Sequence, residues 1–388
     1  MIHRDGHVNA VLDLLTRHPV IALLGARQVG KTTLAGQVAR AFPGPVTRFD
    51  LEDPADLGRL EAPGLALRPL EGLVVLDEAQ RRPDLFPLLR VLADRPDHPA
   101  RFLVLGSASP DLIGQMSETL AGRVAFHALA GFSPGEVGTS PETLQRLWLR
   151  GGLPRAFLAD TDGDGAEWLR GFLRTFLERD LGRLGVSLPA DTLRRFWTML
   201  AHWHGQVWNG AEFGRAFGVS GHTIRRYLDA LVGTYVVRLM PPWHENLAKR
   251  QVRSPKVYLS DPGVLHALLG ITQRDELLGH PKIGASWEGF AMDLVLRRLG
   301  AREGEAFFWA THAGAELDLL VVRGQTRIGF EIKRSEAPRV TPSIRAARDD
   351  LRLDRLTVVH AGPHDYPMDD GVDALGLARV WTALPPLP

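Results

Sequence analysis

The chain has 388 residues, 45% hydrophobic and 23% charged, enough apolar material for two or three separate cores and so for a folded, multi-domain protein. It has no cysteine, which excludes disulfides, thiolate nucleophiles and cysteine-ligated zinc. Net charge is +1, but residues 191 to 260 hold ten Lys or Arg against four Asp or Glu, a local +6 that leaves −5 for the rest and suits a polyanion partner.

The opening "MIHRDGHVNAVLDLL" lacks the uninterrupted apolar core of a signal peptide, and no apolar run approaches the roughly 18 residues of a spanning helix. The expectation is a soluble, cytoplasmic protein with no membrane partner. Soft segments at "ADTDGDG" (159–165) and "LGHPKIGAS" (278–286) divide the chain into domains 1–160, 161–278 and 279–388.

"VIALLGARQVGKTTLAGQVARAF" is an apolar strand, a Gly25-x-x-x-x-Gly30-Lys31-Thr32 loop and a helix with Leu34, Val38 and Ala39 inward. The glycines let backbone N–H groups turn towards a phosphate chain at a helix N-terminus, Lys31 reaches the β and γ phosphates, and the Thr32 hydroxyl ligates Mg²⁺. This is a P-loop for ATP. Next, "GLVVLDEAQ" is a buried strand ending in Asp77, which orients the metal, and Glu78, a base for the attacking water that favours hydrolysis over mere binding. A third apolar strand, "RFLVLGSAS" (101–109), ends in polar residues. In P-loop ATPases with an additional strand it lies between the other two, and Ser107, or failing it Ser109, senses the γ-phosphate. The nucleotide set is thus Gly25, Gln28, Val29, Gly30, Lys31, Thr32 and Thr33 with Asp77 and Ser107.

The run of "GARQVGKTT", "VLDEAQ", "GSAS", "LAGRVAFHALAGFSPGE", "GGLP" (151–154) and "RTFLERDL" (174–181) resembles a family of prokaryotic AAA+ ATPases that carry a C-terminal domain of unknown function. The resemblance covers most of the chain. It implies that Arg123 stabilises charge in catalysis, reaching a neighbouring subunit of a homo-oligomer; Arg179 is the other choice.

In the middle, "NGAEFGRAFGVSGHTIRRYLDALVGTYVVRLM" reads as helix, tight turn at Gly218, helix and strand, with Phe213, Phe217, Val219, Ile224, Leu228 and Leu231 at helical spacing. A preceding helix, "TLRRFWTMLAHWHG", and strands "TYVVRLMP" and "SPKVYLS" complete a winged helix. His222, Arg225 and Arg226 on its second helix, and Lys249, Arg250 and Arg253 between the strands, suit DNA phosphates. Winged helices also serve as lids or oligomer contacts. Trp197, Trp203 and Trp208 are spaced as core residues.

The last third begins with the helix "GASWEGFAMDLVLRRLG", with Phe290, Leu294 and Val295 inward and Glu288 in its first turn. Strands "AFFWA" (306–310), "AELDLLVV" (315–322) and "TRIGFEIKR" (326–334), a helix near "SIRAARDDLR" and a strand "LTVVHA" follow. This αβββαβ order resembles the core of PD-(D/E)xK nucleases. Period-two alternation puts Glu331 and Lys333 on one face, and Asp318 faces the same pocket if its strand pairs as a hairpin. Asp318 and Glu331 form an oxygen site for Mg²⁺ or Mn²⁺, Lys333 orients the water or steadies charge, and the resemblance implies that Glu288 completes the metal shell. A hairpin with ordinary outward charges explains the same string.

The fold expected is multi-domain α/β: a P-loop AAA+ ATPase core, a helical and winged-helix middle domain and a PD-(D/E)xK nuclease-like αβββαβ domain. The function expected is ATP-dependent DNA processing, coupling ATPase to nuclease on branched or junction DNA. Two alternatives stand beside it: a remodelling ATPase whose nuclease-like domain only binds nucleic acid or a protein, and a signalling ATPase without DNA chemistry.

Overall fold

The computed structural model describes residues 2–96, 99–106, 110–180, 189–244 and 252–387. Two compact units emerge, one reaching to Gly131 and taking in Gly233–Tyr235, the other comprising Phe132–Val232 and the chain from Val236.

The first unit is built on β1 (Val20–Gly25), β2 (Val46–Asp50), β3 (Gly72–Asp77), β4 (Ala100–Leu105) and β5 (Val124–Leu129), in the order β2-β3-β4-β1-β5 with every pairing parallel. Parallel strands are linked by crossovers that put helices on the sheet faces, so central strands read as continuous apolar runs. That is why "VIALLG" is buried at all six positions. Helices Lys31–Ala41, Leu85–Ala93 and Pro110–Thr119 contribute Leu34, Leu89, Leu92 and Met116 to the buried set of this unit. The additional strand β4 lies between β1 and β3, as expected.

The second unit carries, after a short helix Pro134–Val137, the longer helices Pro141–Arg150 and Asp162–Thr175. The "GGLP" segment is explained here. Gly151, at φ 78°, faces the Asp261 carboxylate so closely that a Cβ would lie 2.0 Å from Oδ1, and Gly152 donates its N–H to Asp261 Oδ2 at 2.8 Å. Helices Ala190–His202, Gly210–Phe217 and Gly221–Gly233 then surround Phe196, whose ring meets those of Trp208, Phe213, Phe217 and Tyr227 edge-on. Gly218 is left-handed at φ 64°, the turn that the sequence requires. Trp197 and Trp208 are buried and Trp203 half-buried, in agreement with their spacing. Strands β6 (Gln206–Val207), β7 (Val237–Met240) and β8 (Lys256–Leu259) form a small antiparallel sheet ordered β6-β8-β7.

The helix Ile283–Leu299 precedes a six-stranded sheet. Its strands are β9 (Ala306–Ala310), β10 (Glu316–Arg323), β11 (Thr326–Lys333), β12 (Arg355–His360), β13 (Tyr366–Asp369) and β14 (Val372–Gly376), ordered β13-β14-β12-β11-β10-β9. Strands β9 to β11 form an antiparallel meander, β12 joins β11 in parallel after the helix Pro342–Leu351, and β14 pairs with β12. The expected αβββαβ order is present. The closing pair β13 and β14 goes beyond it.

Two local readings need correction. The helix begins at Ile283, so Glu288 lies in its second turn rather than its first. Along β10 the simple alternation breaks, because Asp318 and Leu319 together stand opposite Phe308 in a bulge between Leu317 and Leu320. A bulge re-aims side chains and sharpens the local twist.

Candidate functional site

In the first unit, β1 and β3 end at the same edge of the sheet with β4 between them, in the region where open parallel sheets hold ligands, outside the carboxyl ends of their strands. The loop after β1 demands special backbone. Gly30 and Gln28 are left-handed at φ 96° and 62°, and a Cβ on Gly25 would fall 2.2 Å from the Leu129 carbonyl oxygen. Lys31 folds back to donate to the carbonyls of Gly25 and Ala26, each at 3.0 Å, so its ammonium sits across the loop mouth. Val29 is buried, while Thr32 and Thr33 are exposed at the start of the helix. The Thr32 hydroxyl donates to Asp77 Oδ2 at 2.8 Å.

Glu78 follows in the left-handed region at φ 57°, with its carboxylate accepting from the Gln80 amide. Burial pushes the Glu78 carboxyl above its ordinary range, against the Gln80 hydrogen bond and the Lys31 charge. A carboxylate made more basic in this way is a better proton acceptor for an attacking water. Ser107 and Ser109 lie outside the described residues, and so does the Arg179 side chain. Arg123 holds Asp94 through both guanidinium arms, at 2.6 and 2.8 Å.

Three residues here escaped the sequence reading. Arg48 places its guanidinium 3.1 Å from Asp77 Oδ2. Gln80 was legible in principle, since it closes the "DEAQ" run. Arg4 was not: its side chain donates to Val29 at 3.3 Å and Ala130 at 3.0 Å, partners far along the chain that brace the phosphate loop from behind.

In the second unit, the β10–β11 hairpin sets Asp318 beside Glu331. Asp318 Oδ2 accepts from the Ile332 N–H at 2.8 Å. Lys333 reaches Glu331 Oε1 at 2.6 Å, whereas Glu331 Oε2 is buried without a well-aligned hydrogen bond, the Asp318 backbone N–H being the donor near this carboxylate. Glu288 is also brought in: its Oε1 accepts from the Tyr258 hydroxyl at 2.6 Å, with the Lys256 ammonium 3.8 Å away. Lys256 bonds to Glu316 as well. Lys256 and Tyr258, two apart on β8 and so on one face, were missed; a lysine inside the apolar strand "KVYL" was the available signal.

The charges are strongly perturbed. Burial, and then the charge of Asp318, push both Glu288 and Glu331 up to about 7, against the pull of Lys256 and Lys333 respectively. Burial also raises Asp318, opposed by both lysines. Burial works to discharge Lys256, but Glu288, Asp318 and Glu316 outweigh it and hold the ammonium charged. Among the described residues, no three His, Asp or Glu side chains are grouped closely enough to hold a metal ion as they stand.

Of the residues assigned to DNA, His222, Arg225, Arg226 and Arg253 are exposed, and Arg225 pairs with Asp229 one turn on at 2.8 Å. Lys249 and Arg250 lie outside the described residues. Among the described residues no helix is long and apolar enough to cross a membrane.

A model of a AAA domain matches residues 17–138, and models of two domains of unknown function, DUF8612 and DUF4143, match residues 141–275 and 283–380. Among solved structures, the Walker-type ATPase paby2304 of Pyrococcus abyssi aligns over 69% of this chain and 96% of its own, with a TM-score of 0.50 and 15% identity, a likeness of fold. Uncharacterized proteins Mb2031c of Mycobacterium bovis and Rv2008c of Mycobacterium tuberculosis are each 51% identical over 95% of this chain and 82% of their own length. The chain therefore belongs to the family of these two mycobacterial proteins and is an ATPase of the AAA class of P-loop proteins.

Proposed function

We propose that this ATPase acts on DNA, coupling ATP hydrolysis to a metal-dependent nuclease-like centre formed by Glu288, Asp318, Glu331 and Lys333. The observation that carries the reading is Glu331 Oε2, buried without a well-aligned hydrogen bond beside Asp318, on a hairpin that also presents Lys333. A buried carboxylate oxygen so poorly satisfied is costly, and a cation is its natural complement.

The donor chemistry suits a hard divalent ion at Asp318 and Glu331, with Glu288 brought in once Tyr258 and Lys256 release it. A bound Mg²⁺ or Mn²⁺ supplies a water of lowered pKa and offsets charge building on the phosphate. Lys333 keeps the Glu331 carboxylate oriented and offers an ammonium to the scissile phosphate. At the nucleotide, Thr32 and Asp77 form a ready pair for Mg²⁺, Lys31 turns from its loop carbonyls to the phosphates, and Glu78 takes the proton of the attacking water.

In this reading the two helices around Gly218 act as a helix-turn-helix and β7 and β8 as the base of a wing, with His222, Arg225, Arg226 and Arg253 towards the phosphates. Arg123 leaves Asp94 to act in trans, which requires a homo-oligomer, and the setting is cytoplasmic.

A second reading, that the C-terminal domain binds nucleic acid or a protein without cutting, is favoured by Lys256, which already balances the carboxylates. Incubation with labelled linear, forked and four-way DNA, with Mg²⁺ or Mn²⁺ and with or without ATP, separates the two. Cleavage that disappears in Asp318→Asn and Lys333→Ala supports the nuclease. DNA-stimulated ATP hydrolysis with every substrate intact supports the binding module.

A further inference from the structure

Lys256 belongs to β8, the central strand of the small sheet β6-β8-β7, while the carboxylates it meets belong to the helix Ile283–Leu299 and to β10. Only 5% of it is exposed. Its ammonium bonds to Glu316, stands 3.8 Å from Glu288 Oε1 and lies 5.3 Å from the centre of the Phe308 ring, opposite the Asp318 bulge. A lysine so deeply buried persists only where paired negative charge offsets the loss of water. Here part of that charge comes from acids a divalent ion would need: Glu288 by contact and Asp318 through its charge, with Glu316 beside them.

Two cations cannot share such a cluster without strong repulsion, since like charges a few ångströms apart in a buried site are poorly screened. We infer that Lys256 is a built-in counter-cation which occupies the negative charge of the Glu288, Asp318 and Glu316 cluster and withholds it from a divalent metal. This rests on the metal-dependent reading of Asp318 and Glu331. It explains how three acids come together without being grouped for a metal among the described residues.

The test is Mn²⁺ binding to the full chain without nucleotide, followed by the electron paramagnetic resonance signal of free Mn²⁺. Lys256→Met is expected to bind Mn²⁺ about tenfold or more tighter than the parent, by removal of one nearby positive charge. Addition of Asp318→Asn should abolish that gain, and Lys256→Arg, which keeps the charge, should bind as weakly as the parent. If Lys256→Met does not fold, Lys256→Gln, whose amide still donates to Glu316, carries the same comparison. Equal, Asp318-dependent affinity in the parent and the charge-free variant overturns the role of Lys256 and leaves the metal centre standing. No Asp318-dependent binding in either protein overturns both.

Discussion

The Thr32 hydroxyl donates a 2.8 Å hydrogen bond to Asp77 Oδ2, joining the start of the helix after β1 to the end of β3 across 45 residues of sequence. The two groups proposed to face Mg²⁺ are therefore positioned relative to each other by the fold, and Glu78, the next residue, is aimed by a left-handed backbone. Glu78→Gln should lower ATP turnover by about 10²–10⁴-fold, the range for a lost general base, while a fluorescent ATP analogue still binds. Lys31→Ala should lose binding itself. Parent-like turnover by Glu78→Gln would take the base away from this carboxylate.

The exposed face of the helix Gly221–Gly233 gives a second prediction. Arg225 is partly neutralised by Asp229, whereas Arg226 and His222 stand exposed on the same helix. If this face contacts phosphates, Arg226→Ala should weaken binding to all DNA sequences alike and reduce the slope of log affinity against log salt by about 1. Arg225→Ala should do less. An unchanged salt slope would remove this helix from the DNA interface.

The junction at Asp261 can be tested by stability. A Cβ on Gly263 would fall 2.1 Å from the Arg150 carbonyl oxygen, and backbone cannot step aside as a flexible side chain can. Gly263→Ala should destabilise the second unit by about 3 kcal/mol, the upper end for overpacking, read as an earlier urea transition in tryptophan fluorescence. Gly284→Ala is a matched control, since Gly284 also stands in the first turn of a helix, Ile283–Leu299, and a Cβ there meets no neighbour within 4 Å. Equal losses in both would mean that the junction repacks.

The nucleotide loop was legible because its chemistry is local: Gly25 to Thr32 form one continuous string whose spacing is the mechanism. The β10–β11 hairpin was legible for the same reason, with Glu331 and Lys333 two apart on one strand. Lys256 and Tyr258 were not, because they meet Glu288 and Glu316 only through tertiary packing over 30 and 60 residues. The bulge at Asp318 was also hidden, since "ELDLLVV" reads equally well as regular alternation and nothing in it shows which residue opposes Phe308. Arg4, whose partners are backbone carbonyls, left no pattern at all.

Proton linkage in the second unit pulls in two directions, and substitutions can separate them. His266 is fully enclosed, its ring nitrogens meeting the Leu149 carbonyl at 2.9 Å and Ser286 Oγ at 2.7 Å, and burial lowers it to about 4, with the charge of His280 adding to the fall. A depressed folded pKa contributes stability that is present above the unfolded value near 6.5 and lost as pH falls towards 4, on the order of 3 kcal/mol for a shift of this size. Glu288 behaves oppositely. Raised to about 7, it contributes stability that is complete below the unfolded value near 4.5 and lost as pH rises through 7. The windows overlap, so the parent protein, with divalent metal chelated, should show a shallow change of melting temperature between pH 4.5 and 7. Glu288→Gln, whose amide still accepts from Tyr258, removes one falling contribution and leaves that of Glu331, so its melting temperature should climb with pH relative to the parent across that range. His266→Gln removes one rising contribution and leaves that of His204, which burial lowers to about 3, so its melting temperature should fall with pH relative to the parent. The slope is the readout rather than the absolute value, which the lost packing of either side chain also changes. Slopes parallel to that of the parent in both variants would mean that neither group titrates in this window.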